Sequence, residues 1–591
     1  MRVTLGGVAR AKDGFSFYYE GRSITAYPGE SLAAALLAAG EPVCRETPQG
    51  EGRGMFCGMG VCGECSVLVN GQPRRACMEK ASPGLSVCAQ PARRALPHEH
   101  GAATARLWSE REVELLVVGA GPAGLAAAEA AAKAGASVLV VDERSQPGGQ
   151  YFKQPGSGFE VDEAKLDAQF LQGRALYRGA LDAGAEFYFA TTVWGVFPGP
   201  EIGVFCDDQN LLLKPQRIIL SPGAFERPRP FPGWTLPGVM TTGAAQTLLR
   251  AYQTSPGRRV IVAGNGPLNL QVGRELVDAG IRVLAIAELA KGLTLTTVPA
   301  AVRMGLASPD LLRDGLGHRV RLLLTGVPVP HATAVVRAEG GSRLERVTLA
   351  RVDSKGIAIP GTETGYDCDA LCMGYGFLAQ SELARALQGV TRVHSAAEAS
   401  SSGQSAGIDA GQTFLIGDAG GLGGARVAMA QGALAGLSVA RQLGYDIQGD
   451  SGLVAAARGR RLLARHRAFQ RALWSFYDAP KTALAAAGPD TIICRCESVT
   501  LGRLQSLREE GVGSLGALKR ESRAGMGRCQ GRYCGALLRE SMGLSDLDDV
   551  SNFAPRPPFK PMTVGELAAE VEESPEFDRT AGMQVAQDRN D

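Results

Sequence analysis

Eight of the thirteen cysteines fall into two groups, and the first group has a spacing that suits metal binding. Residues 56–77 read FCGMGVCGECSVLVNGQPRRAC, where C-x4-C-x2-C is followed by a fourth cysteine. This is the plant-type spacing of ligands to a two-iron, two-sulfur (2Fe-2S) cluster, and the intervening glycines let the loop wrap closely. Zinc sites more often carry paired C-x2-C units, and this segment has one. We predict an iron–sulfur site, with zinc as the alternative, at Cys57, Cys62, Cys65 and Cys77.

The second group lies in TIICRCESVTLGRL (491–504) and GMGRCQGRYCG (525–535). Two of its cysteines are separated by a single residue, which is too close for an easy disulfide but suits one metal centre. The CRCE and GRYC elements resemble the 2Fe-2S domain of the bacterioferritin-associated-ferredoxin (BFD) type. This resemblance implies a second cluster, again with zinc as the alternative, on Cys494, Cys496, Cys529 and Cys534.

A dinucleotide-binding fingerprint follows the first cysteine group, in LLVVGAGPAGLAAAEAAAKAGASVLVVDE (115–143). The pattern is a strand, a glycine turn, a helix and a second strand that ends in acidic residues. The glycines permit a tight turn, close approach of a pyrophosphate and close helix–strand packing, and the acid can bind ribose hydroxyls. The predicted contacts are Gly119, Gly121, Gly124 and Asp142, with Glu143 able to share or take the ribose role.

Two further segments favour FAD over NAD at this first site. PGGQYFK (147–153) soon follows the acidic residues, and TFLIGDAGGLGGARVAMAQGALAG (413–436) places a Gly-Asp pair between an apolar strand and a small-residue helix. An aspartate at that strand end can hold a ribityl hydroxyl of a flavin. The predicted flavin contacts in these segments are Gly148, Gly149, Gln150, Gly417 and Asp418.

A second fingerprint, RRVIVAGNGPLNLQVGRELVDAGIRVLAIAE (258–288), is incomplete. Gly264 and Gly266 are present, but Asn269 takes the third glycine position, and Gly273 one turn later can restore close packing. The expected ribose position is Ala287, with Glu288 beside it. A Rossmann-like domain is predicted here. Whether it binds NAD(P), another adenine nucleotide or nothing is left open.

Length and charge limit the class of protein. A chain of 591 residues is too long for a single core, and its net charge of +2 gives no indication of nucleic-acid binding. The start lacks an apolar signal-peptide core, and no apolar run reaches the ~18 residues of a spanning helix. We therefore expect a cytoplasmic protein with no transmembrane segment. Because thiols stay reduced in the cytoplasm, the clustered cysteines indicate metal or redox chemistry.

The fold class predicted is multidomain α/β. A flavin half, an inserted nucleotide domain and a second flavin half resemble the glutathione-reductase-like flavoproteins with two dinucleotide-binding domains. A β-grasp 2Fe-2S domain precedes this core and a small α-rich BFD-like domain follows it. The predicted divisions are 1–90 (ferredoxin-like), 91–111 (linker), 112–250 (first FAD segment), 251–355 (inserted Rossmann-like), 356–445 (second FAD segment), 446–488 (helical connector), 489–550 (BFD-like) and 551–591 (tail).

With these domains in order, nearly the whole chain resembles the FAD-containing α subunits of heteromeric amino-acid and amine dehydrogenases. The family includes sarcosine oxidase, opine oxidase, D-hydroxyproline and L-proline dehydrogenases and hydrogen cyanide synthase; here the iron–sulfur domain is fused in front. The resemblance implies a partner β subunit of the D-amino-acid-oxidase type that oxidises substrate, and an FMN that can lie at the subunit interface. It also implies a further small subunit, a downstream electron acceptor and a route to the inner membrane through partners.

The residues agree with an electron-transfer role, because several electron carriers are predicted while no catalytic residue can be assigned. The six histidines are scattered and sit in no recognisable catalytic motif. We predict the FAD- and iron–sulfur-bearing subunit of an enzyme oxidising the C–N bond of an amino acid or of a secondary or cyclic amine. The alternatives are a stand-alone NAD(P)H-dependent flavin–iron–sulfur reductase and a non-catalytic scaffold with structural zinc.

Overall fold

The computed structural model describes residues 1–92, 108–207, 209–388, 393–394, 413–447, 450–544 and 555–567. Most of the predicted linker and of the predicted tail lie outside these residues. Within the described residues, no helix combines the length and the hydropathy needed to cross a bilayer.

The amino-terminal region is a five-stranded sheet packed on one helix, Leu32–Ala39. Ser31 caps the helix start and Gly40 ends it in the left-handed conformation. A hairpin turn lies at Asn70 and Gly71, since Val69 pairs with Gln72 across it. In spatial order the strands are Arg22–Ala26, Phe15–Tyr19, Ser86–Ala89, Ser66–Val69 and Gln72–Arg75.

A small two-stranded sheet pairs Arg45–Glu46 with Gly52–Arg53 beside the first cysteine loop. A second one pairs Val8–Ala9 with Glu160–Val161, so the start of the chain is hydrogen-bonded to the next domain. The amino-terminal domain is therefore attached to the first nucleotide-binding domain by backbone pairing as well as by packing.

The first nucleotide-binding domain is an eight-stranded sheet flanked by helices. The strand Val138–Val141 and the end of Trp108–Val118 are buried apolar runs, as is typical of central strands in a parallel sheet. The strands are Glu186–Tyr188, Val138–Val141, Trp108–Val118, Gln209–Leu220, Glu201–Cys206, Thr192–Phe197, Thr413–Leu415 and Val393–His394. The helices are Pro122–Lys133, Ala168–Asp182 and Gly424–Gln442.

The second nucleotide-binding domain has a four-stranded parallel sheet that extends beyond the predicted span 251–355. In spatial order its strands are Val239–Thr241, Ala370–Gly374, Arg259–Gly264 and Arg282–Glu288. Its helices are Thr242–Tyr252, Pro267–Asp278, Val298–Ala307 and Pro309–Leu324. A three-stranded antiparallel sheet beside it comprises Thr333–Glu339, Arg346–Arg351 and Thr364–Asp367.

Between the two nucleotide-binding domains, Ala224–Glu226 pairs antiparallel with Phe377–Ala379, and the helix Glu382–Gln388 follows. The carboxy-terminal region begins with the long helix Asp450–Phe476. A short hairpin, Ile492–Cys494 with Val499–Thr500, then carries the first two cysteines of the second group. The remaining helices are Leu501–Glu509, Leu515–Ser522, Cys534–Ser541 and Val564–Leu567.

The hydrophobic cores cross the domain boundaries. One cluster joins Cys65 and Cys77 with Ala244 of the second nucleotide-binding domain. Another joins Phe56 of the first cysteine loop with Trp234 of the central region and Tyr533 of the second loop. The first cysteine loop therefore shares hydrophobic cores with the second nucleotide-binding domain and with Tyr533 of the second loop, whereas the first nucleotide-binding sheet has cores of its own.

Candidate functional site

The first dinucleotide turn has the geometry of a phosphate cradle. Gly119 has a φ of +106°, and a Cβ there would lie 2.5 Å from the carbonyl oxygen of Ser221. A Cβ on Gly124 would lie 1.8 Å from the Gly119 carbonyl oxygen, so the helix packs directly on the turn. Gly121 precedes the helix start at Pro122 without a side-chain cap. The free backbone N–H groups at this helix start therefore face the adjoining cavity, where an anion can accept from them.

The two acidic residues after the second strand have different surroundings. Asp142 follows the strand beside the turn and accepts hydrogen bonds from Ala120 N at 2.6 Å and Arg144 N at 2.8 Å. Glu143 forms ion pairs with Arg75 at 2.8 Å and Lys560 at 2.7 Å. Although burial opposes the effect, these two cations lower the pKa of Glu143 to about 2. The Glu143 carboxylate thus connects three regions of the chain, whereas that of Asp142 remains beside the turn.

The other predicted flavin contacts close around the same turn. A Cβ on Gly149 would lie 2.8 Å from the Gly121 Cα, which brings the 147–153 segment against the dinucleotide turn. Gly417 packs on Ala123, and Asp418 accepts from the backbone N–H of Gly423 at 2.9 Å and of Gly424 at 2.8 Å. Asp418 therefore fixes the start of the helix Gly424–Gln442.

One cavity of about 1660 Å³ connects these elements. Its walls include the first dinucleotide turn, the Asp418 segment and, from the first cysteine loop, Met59 and Val61. It continues to the second turn at Gly266. The structure thus brings Gly119, Gly121, Asp142, Glu143, Gly149, Gln150, Gly417, Asp418 and Gly266 to one cavity.

A buried polar cluster in this cavity was missed by sequence reasoning. Lys153 donates to Gln150 O at 2.6 Å and to Gln246 Oε1 at 2.9 Å. Burial lowers the pKa of Lys153 to about 7, and burial raises the pKa of the neighbouring Glu226 to about 7. Lys153 stands in the PGGQYFK segment, but nothing in the sequence pairs it with residues so far along the chain.

At the second dinucleotide turn, the pairing of the two flanking strands differs from the predicted one. A bulge between Val260 and Ile261 shifts the pairing, so that Glu288 rather than the predicted Ala287 lies opposite Gly264. Glu288 accepts from Gly266 N at 3.2 Å, and burial raises its pKa to about 8. Glu288 is therefore the counterpart of Asp142.

The packing around this second turn also explains its incomplete fingerprint. Asn269 donates to the Gly374 carbonyl oxygen at 2.9 Å and accepts from the Thr242 hydroxyl at 2.9 Å. A Cβ on Gly273 would lie 2.3 Å from Ile286 Cδ1, so this glycine allows the close helix–strand packing. Trp474 of the long carboxy-terminal helix would lie 3.5 Å from a Cβ on Gly266.

The four thiols of the first cysteine loop are buried and lie in two pairs. Cys57 and Cys62 are within hydrogen-bonding distance of one another, as are Cys65 and Cys77. The Cys57 sulfur also accepts from Cys62 N at 3.4 Å. Despite burial, hydrogen bonds from the Cys62 thiol and nearby backbone N–H groups lower the pKa of Cys57 to about 6. One thiolate is therefore favoured within the Cys57–Cys62 pair.

The second cysteine loop repeats this pairing. Cys494 lies with Cys534, and Cys496 lies with Cys529. Among the residues that the structure describes, no three potential metal ligands converge on a single point. Each loop therefore presents two thiol pairs, and a tetrahedral single-metal site would require four converging ligands.

The fold and the site define a class: a flavoprotein with two dinucleotide-binding domains and two attached cysteine-rich domains. Comparison with known families agrees. Residues 113–432 match the pyridine nucleotide-disulphide oxidoreductase family, residues 12–92 a 2Fe-2S iron-sulfur cluster binding domain, and residues 492–542 a BFD-like 2Fe-2S binding domain. The chain belongs to this oxidoreductase family, and the predicted fold class is confirmed.

Individual relatives show to which group within this family the chain belongs. An opine oxidase subunit of Rhizobium meliloti is 32% identical over 480 residues, which are 78% of this chain and 99% of the relative. Hydrogen cyanide synthase subunit HcnB of Pseudomonas aeruginosa is 32% identical over 468 residues, covering 76% of this chain and 96% of the relative. The chain thus belongs with the flavin and iron–sulfur subunits of amine-oxidising enzymes, and the predicted oxidoreductase class, acting on CH–NH donors, is confirmed.

A solved structure supports the fold over nearly the full length. L-proline dehydrogenase from P. horikoshii superposes with a TM-score of 0.64, covering 94% of this chain and 98% of that one at 20% identity. At this identity the likeness concerns the fold.

Proposed function

We propose that this chain is the electron-transfer subunit of a heteromeric dehydrogenase that oxidises the C–N bond of an amino acid or of a secondary or cyclic amine. Substrate is oxidised on a partner subunit, and this chain carries the electrons away. The observation that carries the proposal is the shared cavity, whose walls combine the first dinucleotide turn with Met59 and Val61 of the first cysteine loop. A flavin bound there lies next to a metal-binding loop.

The residues present fit FAD at the first turn. The helix start at Pro122 offers free backbone N–H groups to the pyrophosphate, and Asp142 offers a carboxylate to the ribose. The segments at Gly149 and Asp418 close around the same turn. Bound FAD supplies an acceptor that takes two electrons and can release them singly. Lys153 and Glu226 both line this cavity, and burial brings the pKa of each to about 7, so they can exchange protons near the place where the flavin would bind.

The paired thiols favour two 2Fe-2S clusters over structural zinc. Each iron of such a cluster takes two thiolates, which the pairs in each loop can supply. We propose that Cys57 and Cys62 bind one iron and that Cys65 and Cys77 bind the other. In the second loop, Cys494 pairs with Cys534 on one iron, and Cys496 pairs with Cys529 on the other.

A partner subunit is proposed from the relatives, which are themselves named as subunits. We infer a β subunit of the D-amino-acid-oxidase type, with FMN at the interface. The helices Val298–Ala307 and Pro309–Leu324 expose apolar side chains, among them Leu306 at 82% and Leu323 at 77%. Apolar surface of this kind commonly marks an association site.

Co-purification tests the partner. The chain carrying an affinity tag is isolated from its native host, and stoichiometric partners are identified by mass spectrometry. We expect a flavoprotein partner and amine-dependent dye reduction by the complex, with none by the chain alone. The same tag on a chain with Leu306→Glu and Leu323→Glu should recover less partner, whereas Leu453→Glu, an exposed leucine on another helix, should not. Amine oxidation by the isolated chain would contradict the proposal.

A stand-alone NAD(P)H-dependent reductase is the second candidate, because the cavity reaches the second turn. Its walls there include Glu288, Arg319 and His331, of which the arginine suits a nucleotide phosphate. We propose that this turn binds an adenine nucleotide. Equilibrium dialysis with NADH, NADPH and ATP, with Arg319→Gln as the weakened variant, identifies the nucleotide; binding of none of them would contradict the proposal.

A further inference from the structure

The two cysteine loops are far apart in the sequence but touch in the structure. The Cys496 sulfur lies 3.9 Å from the carbonyl oxygen of Cys62. Gly63, with a φ of +70°, faces Arg528, and a Cβ there would lie 2.5 Å from Arg528 Cδ. This close approach places the ligands of the first loop directly against those of the second.

A buried ion-pair network lies at the centre of this contact. Glu64, between two cysteines of the first loop, is fully buried and pairs with Arg45 at 2.5 Å. The other oxygen of Glu64 pairs at 3.1 Å with Arg495, which stands between the two cysteines of CRCE. Arg53 approaches the same oxygen at 3.8 Å. The carboxylate from one loop and a guanidinium from the other therefore meet out of contact with water.

Arg495 also contacts two aromatic rings and a backbone carbonyl oxygen. Its guanidinium carbon lies 4.1 Å from the ring centre of Phe56 and 4.7 Å from that of Trp234. Its Nη1 donates to the Trp234 carbonyl oxygen at 2.7 Å. Stacking and directed hydrogen bonds of this kind fix a guanidinium in one orientation, which a lysine could not reproduce.

Stability alone does not account for this network. Well-packed apolar side chains are usually at least as stabilising as a buried ion pair, whose desolvation is costly. Two loaded clusters would, however, bring eight thiolates close together. A positive charge between the loops offsets their repulsion and favours an added electron on either side.

We propose that Glu64 and Arg495 are positioning residues that lock the two cysteine loops together, so that the two iron–sulfur clusters are direct neighbours. Clusters held by these cysteines could exchange one electron at a time, one being oxidised as the other is reduced, with no proton or bond change. This inference rests on the proposed function, since it requires that both loops hold clusters.

The first test uses the wild-type full-length chain, purified anaerobically. Iron and acid-labile sulfide are measured first, and the chain is then reduced stepwise with dithionite while EPR spectra are recorded. We expect signals from two reduced clusters that broaden or split when both are reduced, because neighbouring unpaired spins interact. Separate signals that stay unchanged at full reduction would overturn the inference, even with both clusters intact.

The second test compares Arg495→Gln with the wild type by redox titration. Glu64 keeps Arg45 and Arg53 as partners in this variant, so no carboxylate is left unpaired. Removal of the positive charge disfavours the added electron. We expect the reduction equilibrium of both clusters to become at least about tenfold less favourable, equal to about 59 mV for one electron.

Two controls separate charge from structure. Arg523→Gln breaks an exposed pair with Glu497 in the same loop and should shift neither potential. Arg495→Lys keeps the charge, so its potentials should stay close to those of the wild type. Unchanged potentials in Arg495→Gln would overturn the inference. Absence of iron and sulfide from the wild type would instead overturn the proposed function itself, and the wild-type spectra decide the question if Arg495→Gln does not fold.

Discussion

Cys62 is a proposed cluster ligand, so its replacement should change the number of irons bound per chain. Cys62→Ser removes one thiolate from the Cys57–Cys62 pair, so one iron loses half of its protein ligands. We expect the iron content to fall from about four to about two per chain, because each cluster contains two irons. Colorimetric iron and acid-labile sulfide assays measure this loss. Cys88→Ser, a half-buried cysteine of the same domain, is the control and should keep all the iron.

Asp142 is the proposed ribose-binding residue. Asp142→Ala removes a carboxylate that lies beside the dinucleotide turn, and we expect the affinity for FAD to fall by roughly ten- to a hundredfold, since a lost hydrogen bond to a charged group costs about 1.5–3 kcal/mol. Fluorescence titration of the flavin-free protein measures the affinity. Asp182→Ala, at the exposed end of a helix, should leave it unchanged. Equal affinities of wild type and Asp142→Ala would contradict the assignment.

At the scale of single residues, the sequence predicted what lies close together in the chain. The cysteine groups and Gly119 were recognisable because their chemistry depends on short spacing. The Glu64–Arg495 pair was not, because nothing local relates two positions in different domains. The Ala287 prediction was wrong, since a bulge that no local pattern marks moved Glu288 opposite the turn.

The helices Pro122–Lys133 and Gly424–Gln442 cross in close contact, and glycines at the crossing permit this contact. A Cβ on Gly432 would lie 2.1 Å from the backbone oxygen of Ala123, which cannot move aside easily. We expect Gly432→Ala to lower the free energy of unfolding by about 1–3 kcal/mol through overpacking. Urea unfolding measures the change. Gly317→Ala, in the helix Pro309–Leu324 with open space around it, should instead gain up to about 1 kcal/mol. A neutral Gly432→Ala would contradict the close packing.

The second nucleotide turn should make stability depend on pH. Burial raises the pKa of Glu288 to about 8, so the folded chain keeps a proton that the unfolded chain releases near its ordinary pKa of about 4.3. This contribution is therefore lost as the pH rises from about 4.3 to about 8. Between pH 6 and 9, we expect the free energy of unfolding of the wild type to fall by on the order of 2 kcal/mol more than that of Glu288→Gln. Thermal unfolding measures this, and parallel curves for the two proteins would contradict it.

Among the larger elements, both βαβ units could be predicted because strand, glycine turn and helix are contiguous. The extent of the second sheet could not be predicted. Its strands Val239–Thr241 and Ala370–Gly374 come from segments predicted to belong to the flavin domain. Strand order depends on long-range pairing, which a single sequence does not encode locally.

The whole molecule places the proposed cofactor sites side by side. The first cysteine loop borders the proposed flavin cavity, and the second loop packs against the first. The order of motifs along the chain predicted which domains exist, but not this meeting of the two ends. The contact arises from buried surfaces, such as that between Phe56 and Tyr533, whose partners lie in different domains.

The most direct test of the account is the source of the electrons. The purified chain, loaded with FAD and iron, is mixed anaerobically with NADH or NADPH, or with its co-purified partner and an amine, while flavin absorbance at each time is recorded. We expect rapid bleaching of the flavin with partner and amine, and none with the nicotinamides. Complete bleaching by NADH or NADPH alone would contradict the electron-transfer-subunit account and favour the stand-alone reductase.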